Sequence, residues 1–164
     1  MILIAIGSSL PFCGRPPQEI VAVAIRALHR VVKIESESQL YSSPAWPDPT
    51  DPCFVNAVLH VKTSLCPKAL LLCLHAIEAG FGRTRDRKNA PRTLDLDLIA
   101  YNSIQCGADE DKDGPVLPHP RMTKRDFVLA PLAQIAPDWR HPEEGLTAAQ
   151  MLARLGETPA RPWK

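Results

Sequence analysis

A chain of 164 residues, 45% of them apolar, is long enough to bury one well-packed core and too short to need a second, which excludes disorder as the default. Nineteen Lys and Arg against 18 Asp and Glu leave the charge near neutral, so nothing in it points to a nucleic-acid coat or a polybasic membrane anchor. Five cysteines, an odd number with no C-x-x-C pair, exclude a disulfide framework or zinc site as the first reading and suit reduced thiols in a soluble, cytoplasmic protein. The opening MILIAIGSSLPF carries no basic leader, and its apolar run is too short for a signal core or a membrane span.

In chain order, ILIAI at 2–6 ends at Gly7-Ser8-Ser9, the pattern of a strand buried on both faces that runs into a tight turn. Pro16 and Pro17 open a helix whose apolar positions recur at helical spacing through QEIVAVAIRALHRVV. A short strand, QLYSS, then precedes a proline-rich loop, and FVNAVLHVK at 54–62 predicts the next strand. A helix from about Pro67 ends near Gly80 and Gly82, and a basic loop leads into RTLDLDLIAY at 92–101, which alternates as a strand does. A further strand near 104, an acidic patch at 109–114 and two short helices, about 128–135 and 147–154, complete the chain. Strand, helix, strand, strand, helix, strand is the ferredoxin-like βαββαβ order. It predicts a single α+β domain over 1–164, with helices packed on an antiparallel sheet and an extra C-terminal strand and helices.

The strand at 92–101 holds the sharpest clue. Alternate side chains share a face, so Leu94, Leu96 and Leu98 point to the core while Asp95 and Asp97 stand side by side on the other face. Their repulsion asks for counter-charge, which two Mg²⁺ ions bound to substrate phosphates would supply. A solvated sheet face balanced by arginines is the plainer alternative for D-x-D taken alone. The preceding RTRDRKNAPR holds Arg83, Arg85, Arg87, Lys88 and Arg92 against the single Asp86. Guanidinium forks suit phosphate, so loop and strand together supply both halves of a metal-nucleotide site. No G-x-x-x-x-G-K-S/T and no G-x-G-x-x-G occurs, which leaves phosphate binding to arginine and metal. His119 in LPHPRM is followed by Arg121, Lys124 and Arg125, a second cationic cluster. Phe54 and Phe127 read either as core or as stacking partners for a flat ring.

These stretches, together with IGSSL, YSSPAW, FVNAV and RDFVLAPLAQIAPDW, resemble the 6-hydroxymethyl-7,8-dihydropterin pyrophosphokinases of folate biosynthesis over nearly the whole chain. The resemblance implies transfer of pyrophosphate from ATP to a pterin alcohol, with AMP leaving. It makes Asp95 and Asp97 the ligands of two Mg²⁺ ions, with Asp95 also near the acceptor, and Arg83 and Arg92 the phosphate-binding arginines, helped by Arg85. It places His119 and Arg125 on the ATP side and Glu78 and Leu98 near the nucleotide. Phe54 and Phe127 would sandwich the pterin, Asn56 would hydrogen-bond its edge, and Ser43, Pro44 and Trp46 would complete its pocket. Ser9 stands where members often have Asn, Phe54 where they often have Tyr, and the basic loop lacks a tryptophan that some members carry. The implied partners are small molecules only, with neither nucleic acid nor membrane, and the implied enzyme is a monomer. The loops at 43–52 and 83–92 are expected to act as lids that exclude water during transfer.

Two other readings use some of the same residues. Gly7-Ser8 with D-x-D is superficially that of a nucleotidyltransferase, but there the two elements lie close together, whereas here most of the sequence before Asp95 separates them. A single-strand RNA-binding sheet would need an aromatic platform, and aromatic residues make up only 5% of the chain.

Overall fold

A computed structural model of the chain describes residues 1–46, 48–83, 91–107 and 114–164. Arg85, Arg87 and Lys88 of the basic loop and most of the acidic patch lie outside the described residues. The elements are β1 (Ile2–Ser8), α1 (Pro17–Leu28), β2 (Lys33–Glu37), β3 (Tyr41–Ser43), β4 (Phe54–Lys62), α2 (Pro67–Gly80), β5 (Asp95–Tyr101), a 3₁₀ turn (Met122–Lys124), α3 (Asp126–Ile135), α4 (Ala148–Arg154) and β6 (Arg161–Pro162). The sheet order is β5-β1-β4-β3-β6, with β2 pairing β4 beside β3. All the strand pairings are antiparallel, as the ferredoxin-like order predicts.

β1 sits inside the sheet, between β5 and β4, because it can: six of its seven residues are buried, and an apolar run is the sequence a doubly covered strand requires. α1 and α2 both start with proline at the first helical turn, where its missing N–H costs nothing. α1 buries Ile20, Val21, Ala24 and Leu28, one stripe at helical spacing. It ends earlier than its sequence suggests. Val31 and Val32 continue the apolar period, but both close a turn by donating to Leu28 O, and β2 follows with exposed and half-buried residues alternating. A short polar edge strand with one inward apolar residue, Ile34, carries little signal. The strand expected near 104 is also absent among the described residues. β5 ends at Tyr101, Asn102 turns the chain at φ 52°, and among the described residues this stretch makes a single bridge, Cys106 to Leu117. The sequence reading did not foresee β6, a two-residue strand at the other end of the C-terminal segment.

The two sheet faces are packed differently. On one, Ile4, Ile6, Ala57, Leu59, Leu94, Leu96 and Leu98 pack against Ile20, Ala24, Leu70 and Leu74 of α1 and α2. On the other, Leu3, Val58, Ile99 and Ala100 pack against Val128, Leu129, Leu132 and Met151 of α3 and α4. A register shift between Leu3 and Ile4 leaves Ile99 as the extra residue of β5. α3 and α4 cover only the apolar end of the second face. Its other end, where Gly7 pairs with Asn56 on one side and Asp95 on the other, is left to the cavity described next. No described helix is long and apolar enough to cross a membrane.

Candidate active site

The uncovered end of the second face is the floor of a cavity of about 450 Å³. β5 supplies Asp95 and Asp97, β1 supplies Ala5 and Gly7, and β4 supplies Phe54 and Asn56. The stretch from Ser43 to Trp46 forms one wall, and Arg125, Asp126 and Phe127 at the start of α3 form the facing one. Strand alternation puts the leucines and the carboxylates of β5 on opposite faces, and the small side chains of β1 keep the floor low. A side chain at Gly7 would crowd it: a Cβ would lie 3.0 Å from Asn56 Oδ1 and 3.6 Å from Phe54 Cδ1.

Each carboxylate has its own arginines. Arg92 Nη1 donates to Asp95 Oδ2 at 2.8 Å, and Arg125 Nη1 donates to Asp97 Oδ2 at 2.8 Å. Arg83 lies behind Asp95, with Nη1 at 2.8 Å from Oδ1, and also pairs with Glu78 Oε1. Glu78 is 1% exposed, and the same Oε1 accepts the Leu96 N–H at 2.7 Å, so a carboxylate from α2 fixes β5 from beneath. Despite the nearby Arg83, Asp95 Oδ1 has no hydrogen-bond partner among the described residues. His119 Nε2 stands 3.9 Å from Asp97 Oδ2.

Burial alone would raise the Asp97 carboxyl, but the charges of His119 and Arg125, with the Arg125 hydrogen bond, hold it below the usual carboxylate range. Burial pushes the His119 imidazole down. Asp97 opposes that shift and Arg125 and Arg121 add to it. Near neutral pH, therefore, Arg125 is the lasting counter-charge of Asp97.

The pocket walls are also tied down. Asn56 Nδ2 donates to Ser43 Oγ at 2.9 Å, so β4 and β3 share a polar contact at the cavity edge. The Arg125 guanidinium lies 5.5 Å from the centre of the Phe127 ring. Ser8 and Ser9 hold the end of the basic loop: Ser8 Oγ donates to Thr93 O at 2.6 Å, and Ser9 Oγ accepts the Arg92 N–H at 3.0 Å. The early G-S-S is thereby a staple that aims Arg92 at Asp95.

Of the residues singled out in the sequence, Ser43, Pro44, Trp46, Phe54, Asn56, Arg92, Asp95, Asp97, Arg125 and Phe127 line this one cavity. Glu78, Arg83 and His119 lie behind the carboxylates. The Leu98 side chain is in the core on the α1 and α2 side, where strand alternation sends it. Arg85 and the lid expected from the basic loop fall outside the described residues, apart from Arg83, Pro91 and Arg92. Sequence reasoning missed Gly7, Asp126 and Pro159 as lining residues, and did not assign Arg121 and Lys124 to the site. The last two had a signal in R-M-T-K-R. Pro159 had none, since only the return of the C-terminal segment brings it there.

The chain is similar to several known proteins. A family model for 7,8-dihydro-6-hydroxymethylpterin-pyrophosphokinase matches residues 3–137. A 2-amino-4-hydroxy-6-hydroxymethyldihydropteridine pyrophosphokinase of Synechocystis is 42% identical over 141 residues, covering 86% of this chain and 70% of that one. Its counterpart in Pseudomonas aeruginosa is 38% identical over 144 residues, covering 87% and 84%. Among solved structures, wild-type HPPK-DHPS of Plasmodium falciparum matches 93% of this chain with TM-score 0.70 at 13% identity, a likeness of fold. This chain spans only 44% of that one.

Proposed function

The chain belongs to the 7,8-dihydro-6-hydroxymethylpterin-pyrophosphokinase family, and we propose that its cavity is where pyrophosphate passes from ATP to the hydroxymethyl group of 6-hydroxymethyl-7,8-dihydropterin, releasing AMP. This is the pyrophosphokinase step of folate biosynthesis. The observation that carries the assignment to this cavity is the pair Asp95 and Asp97. They stand on the open end of the sheet, each held by a separate arginine, in one space with Phe54 and Phe127.

Two Mg²⁺ ions suit this donor set. Carboxylate oxygens are the hard ligands Mg²⁺ prefers, and Asp95 and Asp97 both line the cavity. When bound, the metal would offset phosphate charge and acidify the acceptor hydroxyl.

The remaining roles belong to the chain itself. Arg92 and Arg125 each use one nitrogen on a carboxylate, and a guanidinium has five N–H donors, so both retain donors for phosphate oxygens. Their planar forks would stabilise the charge that spreads over those oxygens during in-line transfer. Glu78 keeps Arg83 and the start of β5 in place. Arg83 and His119 support the carboxylates from behind, and Arg85 would join the phosphate-binding arginines. Phe54 and Phe127 would hold the flat pterin, with Asn56 at its edge, fixed by Ser43. Its lowered pKa makes Asp97 a weak proton acceptor near neutral pH, so its main contribution is charge. We place the enzyme in the cytoplasm as a monomer, in keeping with five free thiols.

The test is AMP release from ATP and Mg²⁺, with and without the pterin alcohol, by the wild type and by Asp97→Ala. AMP that appears only with the pterin and is lost in the variant supports the proposal. Free pyrophosphate in place of AMP would mean nucleotidyl transfer and would overturn it.

A further inference from the structure

The C-terminal segment returns across the molecule to the cavity, beyond the residues matched by the family model. β6 pairs with β3, Tyr41 opposite Pro162 and Ser42 opposite Arg161, and Trp163 N–H donates to Leu40 O at 2.8 Å. β3 continues directly into the Ser43–Trp46 wall. Just before β6, Pro159 lines the cavity itself. Ala160 is buried, and its N–H donates to Asp126 Oδ2 at 2.7 Å. The other oxygen, Asp126 Oδ1, accepts the N–H of Phe127 at 2.8 Å.

One carboxylate thus joins the segment bound to one cavity wall to the residue that forms the other. Asp126 opens α3 between Arg125, which holds Asp97, and Phe127, whose ring faces the cavity. The side chain lines the space, and each of its oxygens accepts a backbone N–H from a different segment. Its geometry is that of a spacer between walls.

We propose that Asp126 is a positioning residue for the acceptor, and that its contact with Ala160 latches β6 and Pro159 against α3 so as to set the width of the slot between Phe127 and the Ser43–Trp46 wall. The inference rests on the reading of that slot as the pterin site. It assigns the latch to recognition of a flat heterocycle and not to phosphate transfer, because the hydrogen bonds of Asp126 go to Ala160 and Phe127 and not to the arginines that hold Asp95 and Asp97. Releasing the latch lets the two walls drift apart, which weakens stacking on a planar ring while leaving the paired carboxylates in place.

Two variants remove the contact from opposite ends. Asp126→Ala deletes the acceptor, and Ala160→Pro deletes the donor without touching a cavity side chain. Asp126→Asn keeps an acceptor oxygen and is the conservative control. A hydrogen bond to a charged group is worth about a tenfold change in an equilibrium. The expected result is therefore a KM for the pterin alcohol raised about tenfold by either variant, with kcat and the KM for ATP within about twofold of wild type. Asp126→Asn should recover most of the loss. The double variant should be no worse than either single one, because both remove the same interaction. Amide hydrogen exchange in 159–163, followed without substrate, should quicken in Asp126→Ala.

Unchanged pterin KM in both single variants, or equal losses for pterin and ATP that Asp126→Asn does not repair, would overturn the proposal. So would exchange in 159–163 that stays as slow as in the wild type. A wild type that releases no AMP with the pterin would instead defeat the functional reading, and the exchange experiment would still decide whether the latch exists.

Discussion

The two faces of β5 solve opposite problems with alternate residues of one strand. On the face toward α1 and α2, Leu96 and Leu98, with Leu94 just before the strand, are within 4% of full burial and pack into a continuous core. On the other, Asp95 and Asp97 are only partly buried, each depends on an arginine, and their neighbours on β1 are Gly7 and Ala5. The first face is built for stability and has no polar chemistry to offer. The second gives up packing to keep charge beside a space. Stability and activity should therefore separate by face, and substitutions can be chosen to break that separation.

The largest effect expected is on activity. Asp97→Ala should lower kcat by about 10²–10³ or more, the scale for losing a charge group that stabilises a transition state, while the melting temperature moves little. A fall in melting temperature as large as that of a core variant would show that the carboxylate face also holds the fold together. Conversely, Leu96→Ala should cost about 2–5 kcal/mol of stability in denaturant unfolding, with kcat retained at a temperature where the variant is folded. Loss of kcat in folded Leu96→Ala would mean that the two faces are coupled through β5.

A smaller effect is expected at Gly7, between the faces. Gly7→Ala brings a methyl group to 3.0 Å from Asn56 Oδ1, and the pterin KM should rise severalfold with a minor change in stability. Equal activity would mean that Asn56 can move aside without cost.

The smallest effect concerns the covered part of the second face. His141 is buried in the link between α3 and α4, and its Nδ1 accepts the N–H groups of Glu143 and Glu144 at 3.3 and 3.2 Å. Burial holds this imidazole below its ordinary value of 6.5, with Glu143 and Glu144 opposing the shift. A folded pKa below the unfolded one means that the unfolded chain binds the proton first as pH falls. The contribution of His141 is thus complete above pH 6.5 and is lost as pH drops from there through the lower folded value. His141→Gln should flatten the decline in melting temperature over that window and leave the pterin KM unchanged. An unaltered pH profile would mean that other groups set it.

Much of the site was readable because its residues are local in the chain. The alternation of leucine and aspartate in RTLDLDLIAY is enough to put two carboxylates opposite a core, and five basic residues before it are enough to suggest phosphate. The same rule sends the Leu98 side chain to the core, by its parity with Leu96. β2 was less legible, because a polar edge strand has only Ile34 to mark its inner face and the valines before it extend a helical pattern.

By itself, then, the sequence determined the order of elements, the α+β class, the paired carboxylates and the family, because each is written in periodicity or in a run of adjacent residues. Only the tertiary structure decided which end of a sheet face stays open, that Gly7 is the floor under Asn56, that Ser8 and Ser9 aim Arg92, and that residues after 158 return to close a wall against Asp126. Those relations join positions tens of residues apart. They depend on strand register and on where α3 and α4 stop covering the sheet, and periodicity along the chain carries no record of either.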